Sequence, residues 1–148
     1  MDSSETGGYV LLLRLKERSD IRIGRLGTIQ FNSGYYAYVG SAMRGLKQRI
    51  TRHLRKDKKL HWHIDYLLEK ANVVKVIVCQ SDNSIECDVA GEIGSMYNVI
   101  NGFGSSDCTC SGHLYYSPFD FGNKIMRLLE SAGMKPSMVP LNKDGSSI

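Results

Sequence analysis

Between Gly34 and Arg55 the sequence changes its period. GYYAYVG is an aromatic, β-prone run of strand length, and it passes through the small residues Ser41 and Ala42 into a segment where Leu46, Ile50 and Leu54 recur at helical spacing. A run that alternates by two and then by 3.6 residues per turn specifies a strand followed by an amphipathic helix. Any fold for this chain must therefore combine a sheet with helices packed on it.

The flanking segments extend that pattern. Tyr9–Leu15 (YVLLLRL) is a short apolar run of strand length, KERSD is a polar turn, and IRIGRLGTIQF alternates around Gly24 and Gly27 as paired or bulged strands do. Asn32–Gly34 is a turn signal, so the opening third reads as an antiparallel meander. The helix from Gly45 to about Lys56 turns its basic residues outward. HWHIDYLLEKA follows as a second short helix ending near Ala71, and Val73–Gln80 as a buried strand. Ile85 to about Ile100 reads as a helix capped by SDNS, despite Gly91 and Gly94. GFGSSDCTCSG is a loop, HLYYS a strand, and Asn123–Ala132 a last helix closed by Gly133. The expected class is α+β, a small, mainly antiparallel sheet flanked by helices.

At 148 residues, with no repeat or linker, the chain is expected to form one domain. The polar start, residues 1–6, reads as a disordered end and not as a signal peptide; residues 7–135 form the domain; 136–148 read as a mobile tail. No apolar run approaches the ~18 residues of a membrane span. Four cysteines without a signal peptide suggest a reducing compartment, so a cytoplasmic location is expected.

Charge is unevenly spread. Between Arg44 and Lys59 lie eight of the 19 Lys and Arg, against one acid, Asp57. Such a block points to a polyanion, and Arg44, Lys47, Arg52, Arg55, Lys56 and His61 are the candidate contacts. The competing reading is a solvated helix face. A second constellation is Cys108-x-Cys110-x-x-His113 with Cys87 upstream: three thiolates and an imidazole would make a tetrahedral zinc site. C-x-C is tighter than the usual C-x₂-C knuckle, and spacing alone favours ordinary thiols.

Gly7–Tyr9 (GGY) and Tyr38–Gly40 (YVG) flank the meander, and the second is followed by Ser41, Ala42 and then Arg49 and His53 one helical turn apart. This arrangement resembles the GIY-YIG nuclease superfamily, over Gly7 to roughly Glu92. Taken with FGSSDCTCSGHLYY and LHWHIDYLL, it is similar along almost the whole chain to a branch filed as a domain of unknown function, which occurs alone or fused to an endonuclease-III-type DNA-repair glycosylase. Two departures stand out. Gly8 replaces the usual isoleucine of the first triplet, and no asparagine closes the site, although Asp107 lies in roughly that region.

The resemblance implies a GIY-YIG-like fold and a metal-dependent endonuclease or DNA-processing activity in repair or recombination, with DNA as partner and a repair glycosylase as a further one. The charge pattern by itself fits RNA as well. It also implies a site. Tyr38 would be a general base or proton relay, activated by nearby cations; Arg49 would clamp phosphate through its planar fork; His53 would share that face. Tyr9 would sit across from Tyr38. Glu86, with Glu92 as the alternative, would hold Mg²⁺ or Mn²⁺ with waters and phosphate oxygens. Beside each stands a plainer role: a core aromatic for Tyr38, and a favourable helix-terminal charge for Glu86. The same helix would equally serve a non-catalytic nucleic-acid-binding module, and the cysteines a zinc- or thiol-based regulatory domain.

Overall fold

The computed structural model describes residues 5–105 and 108–141. It is α+β: a six-stranded, antiparallel-paired sheet, a separate two-stranded hairpin, and four helices. The strands are β1 (Gly7–Leu15), β2 (Ser19–Arg22), β3 (Thr28–Phe31), β4 (Gly34–Ala42), β5 (Asn72–Gln80), β6 (Asn98–Val99), β7 (Leu114–Ser117) and β8 (Pro136–Val139). The helices are α1 (Leu46–Leu54), α2 (His63–Leu67), α3 (Glu86–Gly94) and α4 (Gly122–Ser131). The large sheet runs β6-β7-β4-β1-β5-β8, and the hairpin is β2-β3.

β1 is interior to the sheet, between β4 and β5, and this explains its composition. Its side chains alternate between two cores, so both faces must be apolar. Tyr9, Leu11, Leu13 and Leu15 join Tyr36 and Tyr38 of β4 against α1, α2 and the β2-β3 hairpin. Val10 and Leu12 join Ala37, Val39, Ile77 and Cys79 against α3 and α4. Helix α1 buries Leu46, Ile50 and His53, the i, i+4, i+7 stripe of a helix lying on a sheet.

Three expectations change. The helix expected to reach Ile100 stops at Gly94, because two glycines weaken it and the residues beyond have better partners: Tyr97 packs on Phe121, and Val99 pairs with Tyr115 of β7. The second helix is regular only over His63–Leu67 and continues to Ala71 as turns, although Ile64, Leu67, Leu68 and Ala71 are all buried. Residues 5–6 and 136–139, expected to belong to a disordered end and a mobile tail, are built into the fold. Glu5 O accepts from Leu46 N at 2.7 Å, and Thr6 is bonded twice to Ser81. At the other end β8 covers the edge of β5, with Val76 opposite Val139 and Cys79 opposite Pro136.

Candidate active site and the thiol–imidazole cluster beside it

The registers of β1 and β4 build the site. Tyr9 lies opposite Gly40, and Gly8 opposite Ser41, at the end of the sheet where β4 passes into α1. A Cβ on Gly40 would overlap the Tyr9 ring and hydroxyl, so the glycine of YVG makes room for the tyrosine of GGY. Gly8 has Ile85 packed over it, 3.2 Å from where a Cβ would stand. Ile85 thus fills space that a larger residue at position 8 would contest.

Tyr9, Tyr38, Gly40, Ser41, Arg49, Trp62 and Glu86 line one cleft of about 410 Å³, together with Met43, Arg44 and Gly104. Both layers contribute. Tyr9 and Tyr38 come from the α1 face of the sheet, whereas Glu86 reaches over from α3 on the other face. Ser41 joins the two sides: its hydroxyl donates to Glu86 Oε2 at 2.8 Å, and its carbonyl accepts from Arg49 at 3.0 Å. The Arg49 guanidinium also lies 4.6 Å from the centre of the Trp62 ring, a cation–π contact that fixes its plane. Glu92, six residues beyond Glu86, is turned about 240° round the helix and does not line the cleft.

Burial governs the protonation of the aromatic groups. It pushes the phenols of Tyr9 and Tyr38 well above their ordinary value, with Arg49 pulling the other way. Both therefore stand as O–H groups at neutral pH, and Tyr38 is no ready-made base. His53 was expected to share the phosphate-contacting face with Arg49, or else to lie on the surface of the basic helix. It is instead 2% exposed, with Nε2 2.7 Å from the Tyr9 hydroxyl. Burial drives its pKa down to about 3, against the pull of Asp65, so the imidazole is neutral. Its Nδ1 has no hydrogen-bond partner among the described residues.

Sequence reasoning passed over Ser41, Trp62 and Asp65. Asp65 is fully buried and organises the approach to the cleft: it takes two bonds from Arg52, each 3.0 Å, and the backbone N–H groups of His61 and Trp62. Burial alone would raise its pKa, but these donors outweigh it and hold the carboxyl below its usual range. Arg52 stacks on Trp62 from 4.3 Å, so the indole is flanked by two guanidinium groups. The signal for this arrangement was an acid three residues after a tryptophan, just beyond the cationic block.

The basic helix therefore divides. Arg49 and Arg52 are committed internally, and Lys58 donates to the carbonyls of His53 and Arg55 at the end of α1. Arg44, Lys47, Arg55 and Lys56 are exposed, Lys56 touching Asn72. His61 is exposed with its ring against Trp62; its neighbour His63 turns inward and accepts from Gly104 N at 2.8 Å.

The thiols were expected to be ordinary, but the fold gathers them. Ligand atoms of Cys87, Cys108, Cys110 and His113 all lie within 4.8 Å of one another, a set that could hold a metal ion. Cys79 is apart, buried in the sheet. Cys108 Sγ is 3.4 Å from His113 Nε2, and the other ring nitrogen, Nδ1, is 2.9 Å from Glu86 Oε1. Burial would raise Cys108, yet bonds from Cys110 and Cys87 and the nearby imidazole lower it, while Cys110 is pushed up to about 12, first by Cys87. One thiolate is thus stabilised by its neighbours, and a cation would be needed for all three to ionise together. Burial also opposes ionisation of Glu86, but His113 and Ser41 overcome it and keep the carboxylate charged. Asp107 lies outside the described residues.

The chain belongs to the family described as Domain of unknown function DUF123, whose model matches residues 8–134. The match opens inside β1 and closes beyond α4, so it takes in the whole cleft and the cysteine cluster and stops before β8. No curated protein and no solved structure matches the chain. No helix among the described residues is long and apolar enough to cross a membrane.

Proposed function

We propose that the protein is a divalent-metal-dependent endonuclease of GIY-YIG type that hydrolyses phosphodiester bonds in DNA, with a structural zinc ion beside its active site. The observation that carries this reading is the convergence of Tyr9, Tyr38, Arg49 and Glu86 on one cleft, next to the exposed cations of α1.

The residues fit the required cation. Glu86 is ionised, and each of its oxygens has one neighbour, Ser41 or His113, leaving lone pairs for a hard ion that keeps most of its waters. Such an ion would supply Lewis-acid neutralisation of the phosphate's charge. The rest falls to the chain. Arg49, held in plane by Trp62 and tethered to Ser41, presents its remaining N–H groups to a phosphate and to the charge that grows on it during attack. Tyr9 and His53 align the nucleophile: the phenol donates to the neutral Nε2, and its oxygen accepts a hydrogen bond from the nucleophile, whose proton passes to solvent as attack proceeds. Tyr38, held protonated, orients the phosphate or the nucleophile by donation. Three thiolates and an imidazole make a soft donor set, which selects zinc for the second site.

The test is Mg²⁺- or Mn²⁺-dependent nicking of linear, flapped and branched DNAs. Glu86→Gln should bring cleavage to background while binding persists, and Arg49→Lys should cut cleavage with little change in binding. Binding without cleavage by the zinc-replete wild type on every substrate would refute the catalytic reading in favour of a binding module.

A further inference from the structure

Two sites on this molecule share one turn of helix. Glu86 and Cys87 are consecutive residues at the start of α3, yet Glu86 enters the cleft and Cys87 enters the thiol cluster. His113 lies between them. Its ring is 1% exposed, with Nε2 facing Cys108 and Nδ1 facing Glu86. The ring cannot easily slide, because the backbone on either side of it is pinned: His113 N donates to Phe103 O at 2.7 Å, and His113 O accepts from Val39 N at 2.9 Å.

The spacing suits a tetrahedral ion. With Zn–S near 2.3 Å and Zn–N near 2.05 Å, sulfur and nitrogen ligands should stand about 3.6 Å apart. Cys108 Sγ and His113 Nε2 are 3.4 Å apart. A metal on Nε2 leaves the single imidazole proton on Nδ1, 2.9 Å from Glu86 Oε1. The ring then has one tautomer, with an N–H to bring to one oxygen of the carboxylate while Ser41 holds the other; without the metal, Nδ1 stands close to that oxygen but makes no hydrogen bond of good geometry among the described residues.

We infer that zinc bound by Cys87, Cys108, Cys110 and His113 positions the cleft carboxylate through the His113 ring, so that loading of the thiol cluster sets the affinity of the cleft for its divalent ion. This rests on the cleft reading above for the role of Glu86. His113 is here a positioning residue, and the coupling is reciprocal: whatever zinc adds to cation binding at Glu86, that cation adds to zinc binding.

The experiment uses the full chain and two binding measurements. Zinc affinity is read by competition with a chromophoric chelator, and Mn²⁺ affinity by the electron paramagnetic resonance of free Mn²⁺. His113→Cys replaces the imidazole by a fourth thiolate, so it should keep one zinc per chain while cutting the link to Glu86. Its Mn²⁺ affinity should fall about 10- to 100-fold, the usual effect of losing an outer-shell partner. In the other direction, Glu86→Gln should weaken zinc by a comparable factor. Absence of bound zinc in the wild type overturns the inference, as does unchanged zinc affinity in Glu86→Gln. Unchanged Mn²⁺ affinity in zinc-loaded His113→Cys overturns it too. Should His113→Cys not fold, the zinc affinity of Glu86→Gln decides alone. A zinc effect in Glu86→Gln, with no Mn²⁺ bound to the wild type, supports the link between Glu86 and the zinc site and places the failure in the cleft reading instead.

Discussion

His53 gives the fold a specific weakness to acid. Its folded pKa is about 3, whereas an imidazole in the unfolded chain titrates near 6.5. The sign follows from proton counts. Below about pH 6.5 the unfolded chain binds a proton that the buried ring refuses, so stability drains as pH falls, and the loss continues until about pH 3. Between pH 7 and pH 5 the unfolded state gains about RT ln(33/1.3), or roughly 2 kcal/mol, and the folded state gains almost nothing. That is a sizeable fraction of a small domain's net stability. Other groups titrate over the same interval, so the measurement is a difference. Urea unfolding of wild type and His53→Gln would be compared at pH 7, 6 and 5. Glutamine keeps a polar end for Tyr9 and removes the titration. The variant is expected to be the less stable at pH 7, because it disturbs a packed core, and the gap should shrink by about 2 kcal/mol at pH 5. A gap that stays constant across those three values would mean that His53 protonates freely in the folded protein. The neutral acceptor assigned to Tyr9 would fall with it.

The other expectations follow from the same contacts. Lys47→Ala with Arg55→Ala should weaken DNA binding and flatten its dependence on log salt by as much as about 1.8, at ~0.9 per phosphate contact, in a fluorescence titration at several salt concentrations; an unchanged slope would move the docking face off α1. Arg52→Ala should behave differently, costing about 3–5 kcal/mol in chemical denaturation because it strands the buried Asp65 carboxylate. Tyr9→Phe should lower the nicking rate by ~10²-fold or more while leaving DNA affinity in place, since it deletes the hydroxyl on His53 and little packing. Gly40→Ala should lower both melting temperature and activity, by about 1–3 kcal/mol in stability, as its methyl displaces Tyr9.

What the sequence made legible depended on how local the determinant was. β1, β4 and α1 were legible because hydrophobic period is written into consecutive residues, and the two triplets could be related because each sits in one strand. The Tyr9–His53 bond was not, since it depends on the depth at which α1 crosses the sheet, and helical spacing does not fix that depth. Helix spacing did place Arg49 and His53 on one side, but nothing in the basic block marked His53 as the member that would be buried. The thiol cluster was misjudged for a related reason. C-x-C looks tight for zinc only while its partners are sought nearby, whereas Cys87 arrives from α3, 21 positions upstream of Cys108. Ser41 and Asp65 act mainly by joining elements that only tertiary structure brings together. Strand β8 was hidden because an edge strand of four residues containing a proline carries almost no periodic signal.

The uneven placement of buried polarity argues for function independently of any family. Burying a charged or hydrogen-bonding side chain costs stability unless its partners are built in, so a small domain should do it sparingly. Among the described residues four polar or charged ones are buried: His53, Asp65, His113 and Ser117. Three of them belong to the cleft, its Trp62 loop or the thiol cluster, all at the end of the sheet where β1 begins and β4 finishes. The opposite end, where Leu15 faces Gly34, is closed by the apolar hairpin residues Ile21, Ile23 and Phe31. Nothing in the packing of a sheet between two helical layers requires this asymmetry, since apolar side chains would have filled either end. Imidazole nitrogens on His53 and His113 without a hydrogen-bond partner among the described residues, and a fully buried aspartate, are costs that selection for stability alone would remove. Their concentration around one open cleft is what a site under selection for chemistry leaves behind.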